Sequence, residues 1–213
     1  MLIDKTISFV KHHLKDAEAG HDWFQIERVW KNAKLIADQE DCDMLVVEIA
    51  ALLHDIADAK FHDGDETLAL KIADEFLTSQ NCSRNWIDEV LYIIQNISFK
   101  SRKELAENIP IELKILQDAD RLDAIGAIGI ARTFNFGGFK NNLLYDPEIP
   151  PQTEFNKEIY KKSNGTTINH FYEKLLLLKD MMHTKVGKQL AETRHEFMLV
   201  FLEEFLQEWE NKI

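Results

Sequence analysis

Residues 44–57 of the chain read "MLVVEIAALLHDIA". This stretch is apolar on nearly every side, which indicates a helix that is buried all round and lies at the centre of a helical bundle. His54 and Asp55 stand side by side in what we expect to be its last turn, where leucine and alanine would be usual. The pair is either a polar cap on a buried helix or part of a metal site.

The rest of the chain has a helical pattern as well. Apolar residues recur every three or four positions and period-two alternation is almost absent, so the sequence predicts an all-α fold. A first helix is expected to stop at Glu18–Gly20. A second is expected to start at Asp22, a suitable N-cap, and to turn four residues inward: Phe24, Val29, Ala33 and Ile36.

Three further helices are predicted before residue 135. Two are amphipathic, and their expected N-caps are Asp63 or Asp65 for one and Ser83 for the other. The third covers residues 111–134 without a break and contains Gly126 and Gly129. Each glycine costs about 1 kcal/mol relative to alanine inside a helix, so the two indicate close packing against a neighbour.

Residues 135–166 break the helical pattern with glycine, proline and asparagine. A long irregular segment in a compact domain is typical of a lid or an insertion, and Tyr145, Phe155 and Tyr160 indicate partial docking. Helices return over residues 167–210 and end with one that runs from Thr184 to Trp209. We expect a single domain over residues 1–213, with a motif core at about 20–125 and the C-terminal helices packed on it.

Charge restricts the class of partner. The formal net charge is −12 over 213 residues, so duplex nucleic acid is not an expected partner. A small anionic substrate remains compatible, because a divalent metal and a few cationic side chains reverse the potential within one cleft.

Location is predicted from the cysteines and the apolar runs. Cys42 and Cys82 provide neither a disulfide framework nor a CxxC zinc pattern, which favours a reducing compartment. The sequence shows no signal peptide, and no run approaches the ~18 apolar residues that span a bilayer. A cytoplasmic protein without a membrane partner is expected.

Several polar groups have metal-ligand chemistry: His21, the pair His54 and Asp55, and the "DADRLD" run of residues 118–123. Helices of a bundle bring such distant positions into one layer. Imidazole and carboxylates together suit Mn, Fe, Co, Ni, Zn or Mg. The competing interpretation of Asp118, Asp120 and Asp123 with Arg121 is a solvated helix face that carries an ion pair. Their occurrence together with apolar helices favours the metal site, since isolated carboxylates are costly there.

Four segments in this order resemble a known family: "GHDWFQIERVW" (20–30), "AALLHDIADAKFH" (50–62), "LQDADRLDAIGAIGIARTF" (116–134) and "HFYEKLLLLKDMMHTKVGKQLAETRHEFM" (170–198). They are similar to the bacterial branch of the HD-domain metal-dependent phosphohydrolases, whose members include nucleotide pyrophosphatases. The resemblance implies an HD-type helical bundle. It also implies a metal held by an early His, a His-Asp pair and a later Asp, which correspond to His54, Asp55 and Asp120, with Asp118 as the alternative.

Gln25 departs from that pattern. The early histidine of the family lies three residues before an Arg-Val, within HDxxHxxRV, and here that position is Gln25. An amide oxygen can ligate a hard cation but binds borderline metals less well than imidazole does. His21 lies one helical turn earlier on roughly the same face. Three outcomes stay open: a weakened Mg- or Mn-dependent site, a site completed by His21, and loss of activity.

A mechanism follows if the metal is bound. The metal would polarise a phosphoryl oxygen and acidify water, with Asp55 bridging metal and water and Asp58 orienting or deprotonating that water. Lys60, Lys100 and Arg121 are candidates to neutralise the phosphates. For the two lysines, a solvated surface position is an equal interpretation.

The predicted function is that of a metal-dependent phosphohydrolase acting on a nucleotide or related phosphate ester. A more specific form of this prediction is a pyrophosphatase that releases pyrophosphate from a nucleoside triphosphate. The expected cofactor is a divalent ion, Mn or Mg first and Fe, Co or Ni as alternatives. The alternative function is a catalytically weakened HD-fold protein that binds a nucleotide or a metal as a sensor. The sequence leaves the oligomeric state open.

Overall fold

A computed structural model of the chain describes residues 1–15, 22–57, 67–97, 109–152 and 165–212, and within these ranges every regular element is a helix. The predicted all-α class is confirmed. The chain divides into two compact units, Met1–Asp120 and Arg121–Ile213. The single domain expected over residues 1–213 stays a prediction.

The first unit is built around one buried helix. Its elements are α1 (Leu2–His13), α2 (Trp23–Ala37), α3 (Met44–Leu53), α4 (Leu68–Ser79), α5 (Arg84–Asn96) and α6 (Ile111–Asp123), and the division between the units falls inside α6. Helix α3 packs against α1, α2 and α5. Every residue from Val46 to Leu53 is buried, which confirms that this stretch forms the central helix.

Acidic side chains set the starts of α2 and α3. The predicted cap at Asp22 is confirmed, because its carboxylate accepts a hydrogen bond from the Gln25 backbone N–H at 2.9 Å. Asp43 does the same for α3 and accepts from the N–H groups of Leu45 and Val46 at 2.9 and 3.2 Å. The Asp43 backbone N–H donates to Glu112 in the first turn of α6 at 3.0 Å. The start of α3 is therefore tied to the start of α6.

Two expectations about helix details need correction. Phe24 does not point inward; it is 63% exposed, while Ile26 shares the buried side of α2 with Val29, Ala33 and Ile36. The buried stripe runs through positions 26, 29, 33 and 36, and Phe24 lies off it. Ser83 occupies the N-cap position of α5 but its side chain makes no capping hydrogen bond. Asp63 and Asp65 lie outside the described residues, and α4 follows Thr67.

The second unit contains α7 (Gly126–Phe139), α8 (Asn169–Glu173), a 3-10 helix (Leu175–Met181) and α9 (Lys185–Trp209). Helix α9 packs against α7 and the 3-10 helix. Thr184 caps α9 and accepts from the Gly187 N–H at 3.0 Å. A helix with the length and apolar character needed to cross a bilayer is absent from the described ranges.

The helix predicted over residues 111–134 is in fact two helices, α6 and α7. The break follows Asp123, and Gly126 has φ of +74°, a left-handed conformation that suits glycine. Two arginines satisfy the end of α6: Arg194 donates to the Leu122 carbonyl, and Arg132 donates to the Asp123 carbonyl at 3.2 Å and to its carboxylate at 2.7 Å. The expected close packing at Gly126 is confirmed, since an added Cβ would lie 3.0 Å from the Arg194 side chain.

The segment expected to be irregular from residue 135 begins later, because α7 continues to Phe139. Residues 140–152 are irregular, and hydrogen bonds fix them to the chain near α8. The Asn169 side-chain amide donates to the Ile149 carbonyl at 2.9 Å, and the Gln152 N–H donates to the Glu173 carboxylate at 2.9 Å. Tyr145 docks edge-on against Phe205 and Trp209, as expected for this segment. Phe155 and Tyr160 lie outside the described residues.

Candidate metal centre

His54 and Asp55 lie where α3 ends. The helix stops at Leu53, so His54 is its C-cap residue and Asp55 belongs to the following turn, slightly later than the last helical turn expected. Both side chains are half-buried, although the eight residues before them and the two after them are buried. The polar pair is therefore the point at which the buried stretch 46–57 reaches the surface of its unit.

The His54 ring is oriented by its own helix. Its Nδ1 lies 2.8 Å from the Ala51 carbonyl oxygen, which only accepts hydrogen bonds, so Nδ1 carries the proton and donates it. In the neutral ring the lone pair is then on Nε2. The carbonyl is one of the four that the end of an α-helix leaves without an intrahelical partner. His54 thus caps the helix with one nitrogen, and the other nitrogen keeps its lone pair, so a cap and a metal ligand are compatible interpretations of this residue.

Gln25 lies in the first turn of α2 and is 1% exposed. Its side-chain oxygen Oε1 is buried and has no hydrogen-bond partner. Its backbone is fixed by the bond to Asp22, and the adjacent Ile26 is completely buried. The residue that departs from the family pattern therefore presents an unsatisfied acceptor inside the first unit.

Asp118 and Asp120 lie on α6 and differ in burial. Asp118 is completely buried, whereas Asp120 is half-buried, as are His54 and Asp55. Helix α2 contacts this part of α6 directly, since the Asn32 side-chain amide donates to the carbonyl of Ala119 at 3.4 Å. The Asp120 position is thus linked to the helix that carries Gln25.

Arg121 and Asp123 do not form a solvated face. Both are buried: Arg121 donates to the Met181 carbonyl at 2.8 Å, and Asp123 forms the ion pair with Arg132 described above. The interpretation of the "DADRLD" run as an exposed charged face is therefore wrong. Asp123 has a structural role in the second unit, and the part of Arg121 in phosphate binding stays a prediction.

The remaining predicted site residues, His21, Asp58, Lys60 and Lys100, lie outside the described residues. Across the ranges that the structure does describe, no three His, Cys, Asp or Glu side chains are grouped closely enough to hold a metal ion. Gln25 is not one of those residue types.

Glu48 is a buried polar residue that belongs to none of the predicted motifs. It lies within α3 and accepts from the Trp30 indole N–H at 2.8 Å, while the Lys34 ammonium lies 3.4 Å from the same oxygen and 5.0 Å from the Trp30 ring centroid. The three side chains join α2 to α3 and so help to fix Gln25 relative to the end of α3. In the sequence, Glu48 could have been recognised as the one charged residue in the ten residues of α3.

A sequence model of the HD domain matches residues 26–125. The match begins one residue after Gln25 and includes His54, Asp55 and Asp120. The matched region therefore contains both the pair at the end of α3 and the later aspartate.

Relatives cover nearly the whole chain. The YpgQ protein of Bacillus subtilis strain 168 is 41% identical over 198 residues, which is 92% of this chain and 87% of YpgQ. A crystal structure of an HD-superfamily hydrolase from Bacillus thuringiensis is 44% identical, covers 98% of this chain and 96% of its own, and superposes with a TM-score of 0.78. A crystal structure of Bacillus subtilis YpgQ in complex with ADP superposes with a TM-score of 0.74 at 36% identity and covers 97% and 96% of the two chains.

Proposed function

The chain belongs to the HD superfamily, and we therefore propose that it is a metal-dependent phosphohydrolase acting on a nucleotide or a related phosphate ester. The observation that carries the proposal is the His54 ring, whose Nδ1–H is committed to the Ala51 carbonyl and whose Nε2 lone pair is thereby directed to ligation. An imidazole oriented by a carbonyl in this way is the usual state of a metal-binding histidine.

The donor set fits a divalent cation. His54 supplies nitrogen, Asp55 and Asp120 supply carboxylate oxygens, and the start of α2 supplies a fourth donor, either Gln25 or His21. The unsatisfied Gln25 oxygen supports this fit, because a cation is a partner for a buried acceptor. Since the described carboxylates and imidazole are not yet grouped around one point, we expect their side chains to turn toward a bound ion.

A bound cation would provide Lewis acidity, which polarises a phosphoryl oxygen and makes water more acidic. In the proposed mechanism Asp55 orients a water molecule for attack on phosphorus, and Asp58, three residues further on, accepts the proton of that water. The P–O bond to the leaving group, pyrophosphate or the alcohol of an ester, breaks as the new P–O bond forms. Lys60, Lys100 and Arg121 offset phosphate charge. Arg121 donates to the Met181 carbonyl at 2.8 Å, and this bond orients its guanidinium.

The proposed substrate is a nucleotide, with a nucleoside triphosphate that is cleaved to release pyrophosphate as the first candidate. The support comes from YpgQ, which resembles this chain over most of its length and has been crystallised with ADP. A net charge of −12 fits a site that relies on a cation to accept an anionic substrate.

The test is turnover by the purified protein with Mn²⁺, Mg²⁺, Co²⁺ or Ni²⁺, against nucleoside triphosphates, diphosphates and a generic phosphatase substrate. We expect metal-dependent phosphate or pyrophosphate release, and we expect His54→Ala and Asp55→Ala to abolish both turnover and metal binding. His12→Ala, an exposed change on α1, is the control and should leave both intact. Absence of turnover with every metal would reject the hydrolase.

The second candidate function is a nucleotide or metal sensor that keeps the fold. The observation in its favour is Gln25, which replaces an imidazole with a weaker ligand for borderline metals. Nucleotide binding without turnover in the same assay would favour the sensor.

We also propose a cytoplasmic location. Cys42 and Cys82 carry free thiols, which fits a reducing compartment.

A further inference from the structure

Gln25 is buried, and its backbone is fixed by a helix cap. The residue lies in the first turn of α2, where the Asp22 cap fixes its backbone, and it shares the inward side of the helix with Ile26 and Val29, both completely buried. Only 1% of the residue is exposed, so its amide cannot obtain a hydrogen bond by turning toward bulk solvent. Its Oε1 remains without a partner.

Such an atom calls for a physical explanation. Roughly nine in ten buried polar groups have a hydrogen-bond partner, and leaving one without costs about 1–3 kcal/mol. An amide oxygen only accepts, so its missing partner is an N–H, an O–H or a cation. In the described part of the chain the only other such atom is His195 Nδ1, which belongs to α9 in the second unit.

Helix α2, which carries Gln25, contacts both of the helices that carry the proposed ligands. Asn32 lies seven residues further on, two helical turns and about 10 Å along the same side. Its amide donates to the carbonyl of Ala119, the residue before Asp120. Helix α2 also packs against α3, which ends at His54. The unsatisfied oxygen is therefore on the helix that contacts both other ligand-bearing helices.

We propose that Gln25 Oε1 is the fourth ligand of this centre and that, compared with an imidazole at the same position, it shifts the selectivity of the centre toward the hard cations Mg²⁺ and Mn²⁺ and away from Ni²⁺, Co²⁺ and Zn²⁺. This inference rests on the proposed function, because it requires His54, Asp55 and Asp120 to bind the same ion. With Gln25 the donor set has one nitrogen and oxygens from the other three residues, and oxygen ligands suit hard cations, whereas imidazole favours borderline ones. Gln and neutral His carry the same charge, so the difference lies in the donor atom.

The first experiment compares dissociation constants for Mn²⁺, Mg²⁺ and Ni²⁺ in the parent and in Gln25→His, by calorimetry and by Mn²⁺ electron paramagnetic resonance without substrate. We expect Gln25→His to tighten Ni²⁺ binding at least about tenfold while Mg²⁺ binding stays within about threefold or weakens. Gln25→Glu, which adds an anionic oxygen, should tighten Mg²⁺ and Mn²⁺ binding instead. Equal changes for all three metals in both variants would overturn the inference.

The second experiment uses stability, which separates a ligand from a structural amide. Gln25→Met removes the unsatisfied oxygen at similar length, so without metal its unfolding temperature should equal or exceed that of the parent, while the increase produced by Mn²⁺ is lost. Asn169→Leu is the matched control. Asn169 is also 1% exposed, but its amide donates to the Ile149 carbonyl, so its removal should lower stability and leave the Mn²⁺ response intact. A Gln25→Met variant that keeps the parent's Mn²⁺ response would refute the proposed ligand.

The two proposals fail in different ways. If His54→Ala still binds Mn²⁺ as the parent does, the proposed function and this inference both fail. If His54→Ala abolishes binding while Gln25→Met leaves it unchanged, the centre exists but Gln25 is not its ligand. Loss of Mn²⁺ binding in His21→Ala but not in Gln25→Met would assign the fourth position to His21 and overturn this inference alone.

Discussion

His170 is a titratable residue in α8 that is mostly withdrawn from water. Burial lowers the pKa of its imidazole from 6.5 to about 4, and the nearby Lys174 ammonium contributes in the same direction. The folded protein therefore holds a neutral ring near neutral pH. Between pH 6.5 and 4 the unfolded chain binds a proton that the folded chain does not.

Stability is expected to fall with acidification in that window. Because the unfolded state binds more protons there, the free energy of unfolding rises with pH. The contribution of His170 to stability is fully present above about pH 6.5 and is lost as the pH falls toward 4. For this one residue the loss from pH 7 to pH 5 is on the order of 2 kcal/mol. Urea unfolding of the parent and of His170→Gln at pH 7 and at pH 5 measures this loss. The free energy of unfolding of the variant should fall less between the two pH values than that of the parent.

The control for this titration is His12→Gln, an exposed position on α1, which should keep the full acid sensitivity of the parent. If His170→Gln and the parent lose the same free energy between pH 7 and pH 5, His170 does not titrate as described.

At the scale of elements, the junction of α6 and α7 depends on glycine. Gly126 takes a left-handed conformation, and a Cβ on Gly129 would lie 2.3 Å from the Ala124 carbonyl oxygen. Backbone atoms of the preceding turn occupy the place of a side chain there. The sharp break between the two helices therefore tolerates no side chain at Gly129.

Gly129→Ala should destabilise the protein by at least about 2 kcal/mol, because overpacking against a backbone carbonyl outweighs the better helix propensity of alanine. Gly138→Ala, in the same helix, is the control. Its Cβ would meet nothing within 4 Å, so this change should be neutral or stabilising by up to about 1 kcal/mol. Urea unfolding midpoints of the two variants measure these changes in stability. Equal destabilisation by Gly129→Ala and Gly138→Ala would contradict the close approach at Gly129.

The same elements show what sequence reasoning can reach. The apolar run identified α3 as the central helix, and Asp22 was recognised as a cap because capping depends on residues near in sequence. The helical period does not predict the break after Asp123, because the break depends on Arg132 and Arg194, which are distant along the chain. Phe24 is expected inward but is exposed, because the helical period alone does not predict which residues at the edge of a buried stripe face the solvent.

Across the molecule, the order of the motifs predicts the His-Asp pair and Asp120 as ligands of the candidate centre, and this assignment stays a prediction. The contacts around these residues are not predictable from the motifs. The hydrogen bond that sets the His54 tautomer, the contact of Asn32 with Ala119 and the unsatisfied Gln25 oxygen each depend on three-dimensional packing that no local pattern contains.

Metal and nucleotide are expected to stabilise the protein cooperatively. A ligand at 100 times its dissociation constant adds about 2.7 kcal/mol, which is roughly 5–10 °C in unfolding temperature for a chain of this size. ADP should therefore raise the unfolding temperature more with Mn²⁺ than with a chelator, because the cation offsets the phosphate charge. Adenosine, which lacks phosphates, is the control, and an ADP shift that is the same in chelator would contradict a shared site.

Two hydrogen bonds join residues 149–152 to residues 169–173. The Asn169 side-chain amide donates to the Ile149 carbonyl, and the Gln152 N–H donates to the Glu173 carboxylate. Neither bond involves a residue between 153 and 164. Substitutions within residues 153–164 are therefore expected to leave this pairing in place, and with it the position of residues 140–152 beside α8.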